Sequence, residues 1–152
     1  MFMRLRALRK DERGFTLIEM MVVLAIIGLI AAFAVPNVMA ALGRSRVRTV
    51  EAQAREIQAA MEEYYHDYIG YPPDPDTALY DYFFSSDDIG GLDEGYLYPY
   101  LSMPETQDEA MFEFVSYDNS NGSYTIKLKV RGVSSELRYI VITPESVEIT
   151  DN

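Results

Sequence analysis

The chain has 152 residues, enough for one modest core, and no cysteine, which removes disulfide frameworks, thiolate zinc sites and cysteine nucleophiles from consideration. Its formal net charge of −11 is unevenly spread: residues 1–14 hold five basic side chains (Arg4, Arg6, Arg9, Lys10, Arg13) against Asp11 and Glu12, while the rest of the chain carries the acidic surplus. An acidic body behind a basic head excludes nucleic-acid phosphate as a partner.

The first element after the basic head is the densest apolar block of the chain, from Phe15 to Val35, 21 residues long. As a helix it reaches about 30 Å, the hydrocarbon thickness of a bilayer. Five basic residues precede it and three (Arg44, Arg46, Arg48) follow, so the positive-inside rule favours a cytoplasmic N-terminus. A cleaved secretory signal is the rival, and Ala32-Phe33-Ala34 supplies a small-x-small pattern for it. The apolar stretch is longer than the usual signal core of about 7–15 residues, and Glu19 interrupts it. An ionised carboxylate inside a membrane helix costs roughly 2.5–3.5 kcal/mol, so Glu19 calls for a partner, or else it snorkels to the headgroups.

Gly14-Phe15-Thr16-Leu17-Ile18-Glu19, behind a short basic leader and ahead of an apolar run containing Gly28 and Pro36, resembles the class III signal of type IV pilins and type II secretion pseudopilins. The resemblance is close over residues 9–40 and architectural beyond them. It implies cleavage between Gly14 and Phe15 by a membrane prepilin peptidase, which also N-methylates Phe15. A glycine suits the position before the cut because a backbone without a side chain lets a protease approach closely. The resemblance further implies that Glu19 of one subunit meets the Phe15 amine of another in the apolar core of a helical homopolymer. Such a pair sets register more than it adds stability. Gly28 and Pro36 are poor helix-interior residues by about 1 and 3 kcal/mol. They imply a segment that unwinds on assembly or, equally, a static proline kink near Ala32.

The implied partners are other copies of the chain, other pilins or pseudopilins, the prepilin peptidase, and an inner-membrane assembly platform. That platform would need a separate ATPase, because the chain has no phosphate-binding glycine loop followed by lysine. The implied location is the bacterial inner membrane, followed by a periplasmic pseudopilus or a surface pilus.

Beyond Pro36 the pattern becomes amphipathic. Val47, Val50, Ala54, Ile57, Met61, Tyr64 and Tyr68 recur at steps of three and four, one face of a helix that packs on a sheet. Gly70, with Pro72, Pro73 and Pro75 behind it, predicts the helix end near Ile69-Gly70. Residues 70–110 form a proline-rich connector that, with the end of the helix, holds nine of the twelve tyrosines between Tyr64 and Tyr100. Tyrosine suits a loop folded over a small sheet because it buries a ring and keeps its hydroxyl wet. Asp87, Asp88, Asp93 and Glu94 cluster around Gly90-Gly91, an arrangement of hard oxygen ligands that suits calcium, although the spacing is not that of an EF-hand. A solvated acidic loop is the plainer alternative. The glycine- and aspartate-rich tail motif of the major pseudopilins, which use calcium, is missing here.

The C-terminal part alternates as strands do. Tyr124, Ile126, Leu128 and Val130 take one face, Thr125, Lys127, Lys129 and Arg131 the other. Phe112–Tyr117 predicts the preceding strand and Asn121-Gly122 the turn. Leu137–Ile142 and Val147–Ile149 complete a meander through a turn at Thr143–Ser146. The expected fold is therefore α+β, with a long N-terminal helix packed on an antiparallel sheet of three to four strands, a layout that resembles the pilin fold.

The expected organisation is a leader (1–14), a membrane or filament-core helix (15–36), an amphipathic half-helix (37–69), a connector (70–110) and a sheet (111–152). One histidine, His66, and the absence of a nucleophile-elbow serine leave an enzyme unexpected. The expected role is a structural filament subunit. The competing reading is a monomeric, membrane-anchored extracytoplasmic binding module.

Overall fold

A computed structural model describes residues 14–75, 78–86, 95–104, 106–120, 122–133 and 138–151. Helix α1 (Leu17–Tyr68) takes up 52 residues, and the chain divides into two compact units between Met39 and Ala40. In the first unit every described residue, from Gly14 onward, is exposed.

The second unit is a two-layer α+β body. Four strands, β1 (Phe112–Ser120), β2 (Ser123–Val130), β3 (Tyr139–Ile142) and β4 (Val147–Thr150), form an antiparallel meander in the order β1-β2-β3-β4. The 3.6-residue period of α1 buries Val47, Val50, Ala54, Ile57, Met61 and Tyr64, and Ala60 joins them. Tyr68, expected on this stripe, is exposed. It leaves the core because the helix ends there, and its ring instead stacks on Tyr64 at 4.5 Å. Strand β2 buries Tyr124, Ile126, Leu128 and Val130 by strict alternation. Gln58 ties α1 to the β3–β4 turn by donating from Nε2 to Thr143 O at 2.8 Å.

Strand β1 breaks its own alternation. Phe114 faces Leu128, Ser116 faces Lys127, and Val115 is the extra residue of a bulge. Phe112 and Phe114 point inward, and the inserted residue brings Tyr117 to the inner face as well, where strict alternation would have put Ser116. The helix ends at Tyr68, beside the Ile69-Gly70 boundary expected for it. The left-handed residue is Ile69, with φ 56°, and not Gly70. Ile69 N–H donates to Tyr65 O at 2.8 Å, and the chain then turns so that Tyr71 packs edge-on against Tyr124 and Pro72 is buried.

The connector contains a six-residue helix, α2 (Leu79–Phe84), where irregular structure was expected. Tyr80, Phe83 and Phe84, at i, i+3 and i+4, enter the core and meet Phe112, Phe114 and Tyr117. Carbonyls in the last turn of a helix have no intrahelical partner. Here Tyr96 N–H donates to Tyr82 O at 3.1 Å and Leu97 N–H to Phe83 O at 2.8 Å, while Gly95 N–H reaches Ser85 O at 2.8 Å. The returning backbone passes so close that a Cβ on Gly95 would stand 2.7 Å from the Phe83 carbonyl carbon.

The tyrosine hydroxyls correct a second expectation, because several are bonded to protein rather than left in water. Tyr80 donates to Pro104 O at 2.7 Å, Tyr117 to Pro72 O at 2.6 Å, and Tyr82 to Pro73 O. Desolvation, with smaller contributions from the Asp81 and Glu109 charges, pushes the Tyr80 hydroxyl up to about 12, so it remains a donor at neutral pH. The rings fill the core while the hydroxyls fasten proline carbonyls of a connector that is poor in backbone donors. Asn119 adds its N–H to Asp74 Oδ1 at 3.0 Å and its side chain to Pro72 O at 2.7 Å, covering the outer edge of β1.

Tyr124 is the contrasting case, since its hydroxyl is buried with no hydrogen-bond partner among the described residues. Tyr117→Phe will cost about 1 kcal/mol, whereas Tyr124→Phe, which removes an unpaired buried hydroxyl, will be neutral or stabilising. Denaturant midpoints of the two variants check this. A larger loss at Tyr124 than at Tyr117 overturns the assignment.

Candidate functional site

The first turn of α1 is where sequence and geometry converge. Thr16 precedes the helix and Glu19 is its third residue. Glu19 N–H donates to Thr16 Oγ1 at 3.3 Å, and Glu19 Oε2 accepts from Thr16 N–H and from Thr16 Oγ1–H, both at 2.8 Å. This is a capping box: two otherwise unpaired backbone donors of the helix start are satisfied reciprocally. The signal was present in the sequence as threonine with glutamate three residues on, and the expectation of Glu19 as a pairing residue passed over it. The two bonds that the Glu19 carboxylate accepts both use Oε2, and among the described residues Oε1 carries no hydrogen bond. The structure thus brings Glu19 to Thr16 rather than to Phe15 of its own chain.

Gly14 and Phe15 are both exposed, Phe15 at 82%, and a Cβ built on Gly14 meets nothing within 4 Å. Downstream, α1 is apolar on every side as far as Leu42, with Leu17 77% and Phe33 71% exposed. A helix that is apolar all round belongs in a protein core or in lipid. By length and composition α1 can cross a membrane, and none of its most apolar window is buried, so that part of the helix takes no part in the core of its own chain. An apolar surface of this extent needs lipid or other chains to cover it.

Gly28 and Pro36 both lie within unbroken helix. Proline leaves the carbonyl of Ala32 without its helical donor, and Asn37 Nδ2 donates one residue along, to Phe33 O at 3.0 Å. No Cβ contact lies within 4 Å of Gly28 among the described residues, so none of them requires glycine there. The four carboxylates expected to hold calcium, Asp87, Asp88, Asp93 and Glu94, lie outside the described residues. Among the described residues no group of three or more histidine, aspartate or glutamate side chains is placed to hold a metal. His66 is exposed at the far end of α1.

Residues 9–35 match the family described as "Prokaryotic N-terminal methylation motif". The chain is 41% identical over 64 residues to the type II secretion system core protein G of Pseudomonas aeruginosa, an alignment covering 42% of this chain and 45% of that protein. It is 35% identical over 65 residues to the type IV major pilin protein PilA of Myxococcus xanthus, covering 43% and 30%. With the type IV major pilin protein PilE of Neisseria gonorrhoeae the identity is 37% over 67 residues, covering 44% and 40%. The chain spans less than half the length of these relatives. No solved structure matches it.

Proposed function

We propose that the chain is a subunit of a type IV pilus-like or type II secretion pseudopilus filament, cut between Gly14 and Phe15, methylated at Phe15 and polymerised through α1. One observation carries the proposal. The methylation motif leads into a helix whose described residues are all exposed up to Leu42 although nearly all are apolar. Lipid covers that surface before assembly, and neighbouring helices cover it in the filament. The partners are other copies, related subunits, a prepilin peptidase and an inner-membrane platform driven by a separate ATPase. Neither this role nor the body's packing calls for catalysis.

The competing class, a monomeric anchored binding module, keeps its leader and remains in the membrane. Mass spectrometry of the mature protein separates the two: a chain beginning at monomethylated Phe15 supports the filament reading, and an intact Met1 overturns it. Gly14→Val, which puts a β-branched side chain beside the scissile bond, will leave the leader attached and block assembly. Normal processing of that variant sinks the proposed cleavage.

Unwinding between Gly28 and Pro36 belongs to the same proposal. Gly28→Ala with Pro36→Ala stabilises a helix by roughly 4 kcal/mol. The double variant will insert and be cleaved as before but enter filaments poorly. Unchanged filament yield would mean that the segment stays helical throughout.

A further inference from the structure

Eight basic side chains follow Gly14. Six have a partner in their own chain. Arg46 donates to Gly132 O, Arg55 pairs with Glu51, Lys129 with Glu113, Arg131 with Asp108 and Arg138 with Asp151, and Lys127 lies over the Tyr139 ring. Arg44 and Arg48 are exposed and have no such partner among the described residues. They stand one turn apart on α1, and steps of seven carry the same stripe through Arg55 to Glu62. Glu62 and its neighbour Glu63 are likewise exposed without a cationic partner among the described residues. Within the second unit the exposed side of α1 is thus basic near Arg44 and Arg48 and acidic near Glu62 and Glu63.

We propose that Arg44 and Arg48 of one subunit dock on Glu62 and Glu63 of a second copy. The inference rests on the filament reading and adds a specific contact between the subunit bodies. Copies inserted with the same orientation run parallel, so a displacement of about 21–27 Å along the axis brings arginines and glutamates level. Carboxylates outnumber cations in this chain, so bodies brought together repel unless some cations are left free to meet them. Positive charge beyond the span also works against a cytoplasmic N-terminus, so two arginines without a partner among the described residues need a use other than orienting the helix.

The test uses the full chain in a host that assembles it. Arg44→Glu with Arg48→Glu, and separately Glu62→Arg with Glu63→Arg, will each lower the ratio of sheared to membrane-pool protein about tenfold, and all four changes in one chain will restore it to within about twofold. A four-fold variant as defective as either pair overturns the proposal, as does normal assembly of either pair. Because the chain has no cysteine, co-expressed Arg48→Cys and Glu62→Cys subunits will form a disulfide-linked heterodimer in sheared filaments, and neither variant alone will cross-link. Filaments that form without the cross-link overturn the docking while leaving the filament reading intact. Absence of filaments from the wild type overturns both. If Arg44→Glu with Arg48→Glu instead releases the unassembled Glu19→Gln variant from the membrane, the arginines serve lipid headgroups and the proposal falls.

Discussion

Glu19→Gln will be cleaved and held in the membrane as well as the wild type, and it will be missing from filaments. Glutamine is accepted at the third position of a capping box, so the bonds between residue 19 and Thr16 survive and the helix start stays intact. The charge does not survive. Insertion becomes easier, since an ionised carboxylate in the span is removed. In a filament, the Phe15 ammonium of a neighbouring subunit is then buried with no counter-charge, a defect of about 3–5 kcal/mol. Incorporation into filaments of wild-type subunits should fall by at least about a hundredfold. Glu19→Val removes cap and charge together and will be at least as defective, while Glu19→Asp, with a shorter arm, will be intermediate. The measurement is the ratio of sheared to membrane-pool protein for each variant. Wild-type incorporation of Glu19→Gln alongside failure of Glu19→Val would reduce Glu19 to a helix cap.

Gly95→Ala will destabilise the body more than any other glycine-to-alanine change at a described position of negative φ in it. Its Cβ would stand 2.7 and 2.8 Å from the Phe83 carbonyl carbon and oxygen and 2.8 Å from Phe84 N, all backbone atoms that no rotamer change can move aside. Relief requires pulling the returning strand away from α2. That lengthens the bonds from Tyr96 and Leu97 to the last helical carbonyls and loosens Phe83, whose ring is fully buried. Overpacking of this kind costs about 1–3 kcal/mol, and the lost carbonyl partners add to it. A drop in melting temperature of about 10 °C is expected. Gly70→Ala is the control, because nothing lies within 4 Å of a Cβ there. Equal melting curves for the wild type and Gly95→Ala would show that the close approach is not rigid.

The two periodicities carried most of the architecture. A 3.6-residue repeat from Val47 to Tyr64 and a two-residue repeat from Tyr124 to Val130 each mark a buried face, so helix, sheet and core face were legible without tertiary information. Likewise the Gly14–Glu19 hexapeptide carries the proposed chemistry of the N-terminus, because the proposed processing and pairing would depend on residue identity at fixed spacing rather than on folding.

What depends on contacts distant in sequence was not legible in this way. Short helix α2 has too few residues to nucleate on propensity and exists because Tyr80, Phe83 and Phe84 find the inner face of β1. The bulge at Val115 turns Tyr117 inward, and its hydroxyl there meets Pro72, 45 residues away. Ile69, not Gly70, takes the left-handed conformation because Tyr71 and Pro72 have places in the core that the chain must reach. Local pattern by itself determined α1, the strands of the sheet and the resemblance at the N-terminus. The direction in which the connector's side chains point, and which glycine is indispensable, were decided only when helix, sheet and connector closed on one core.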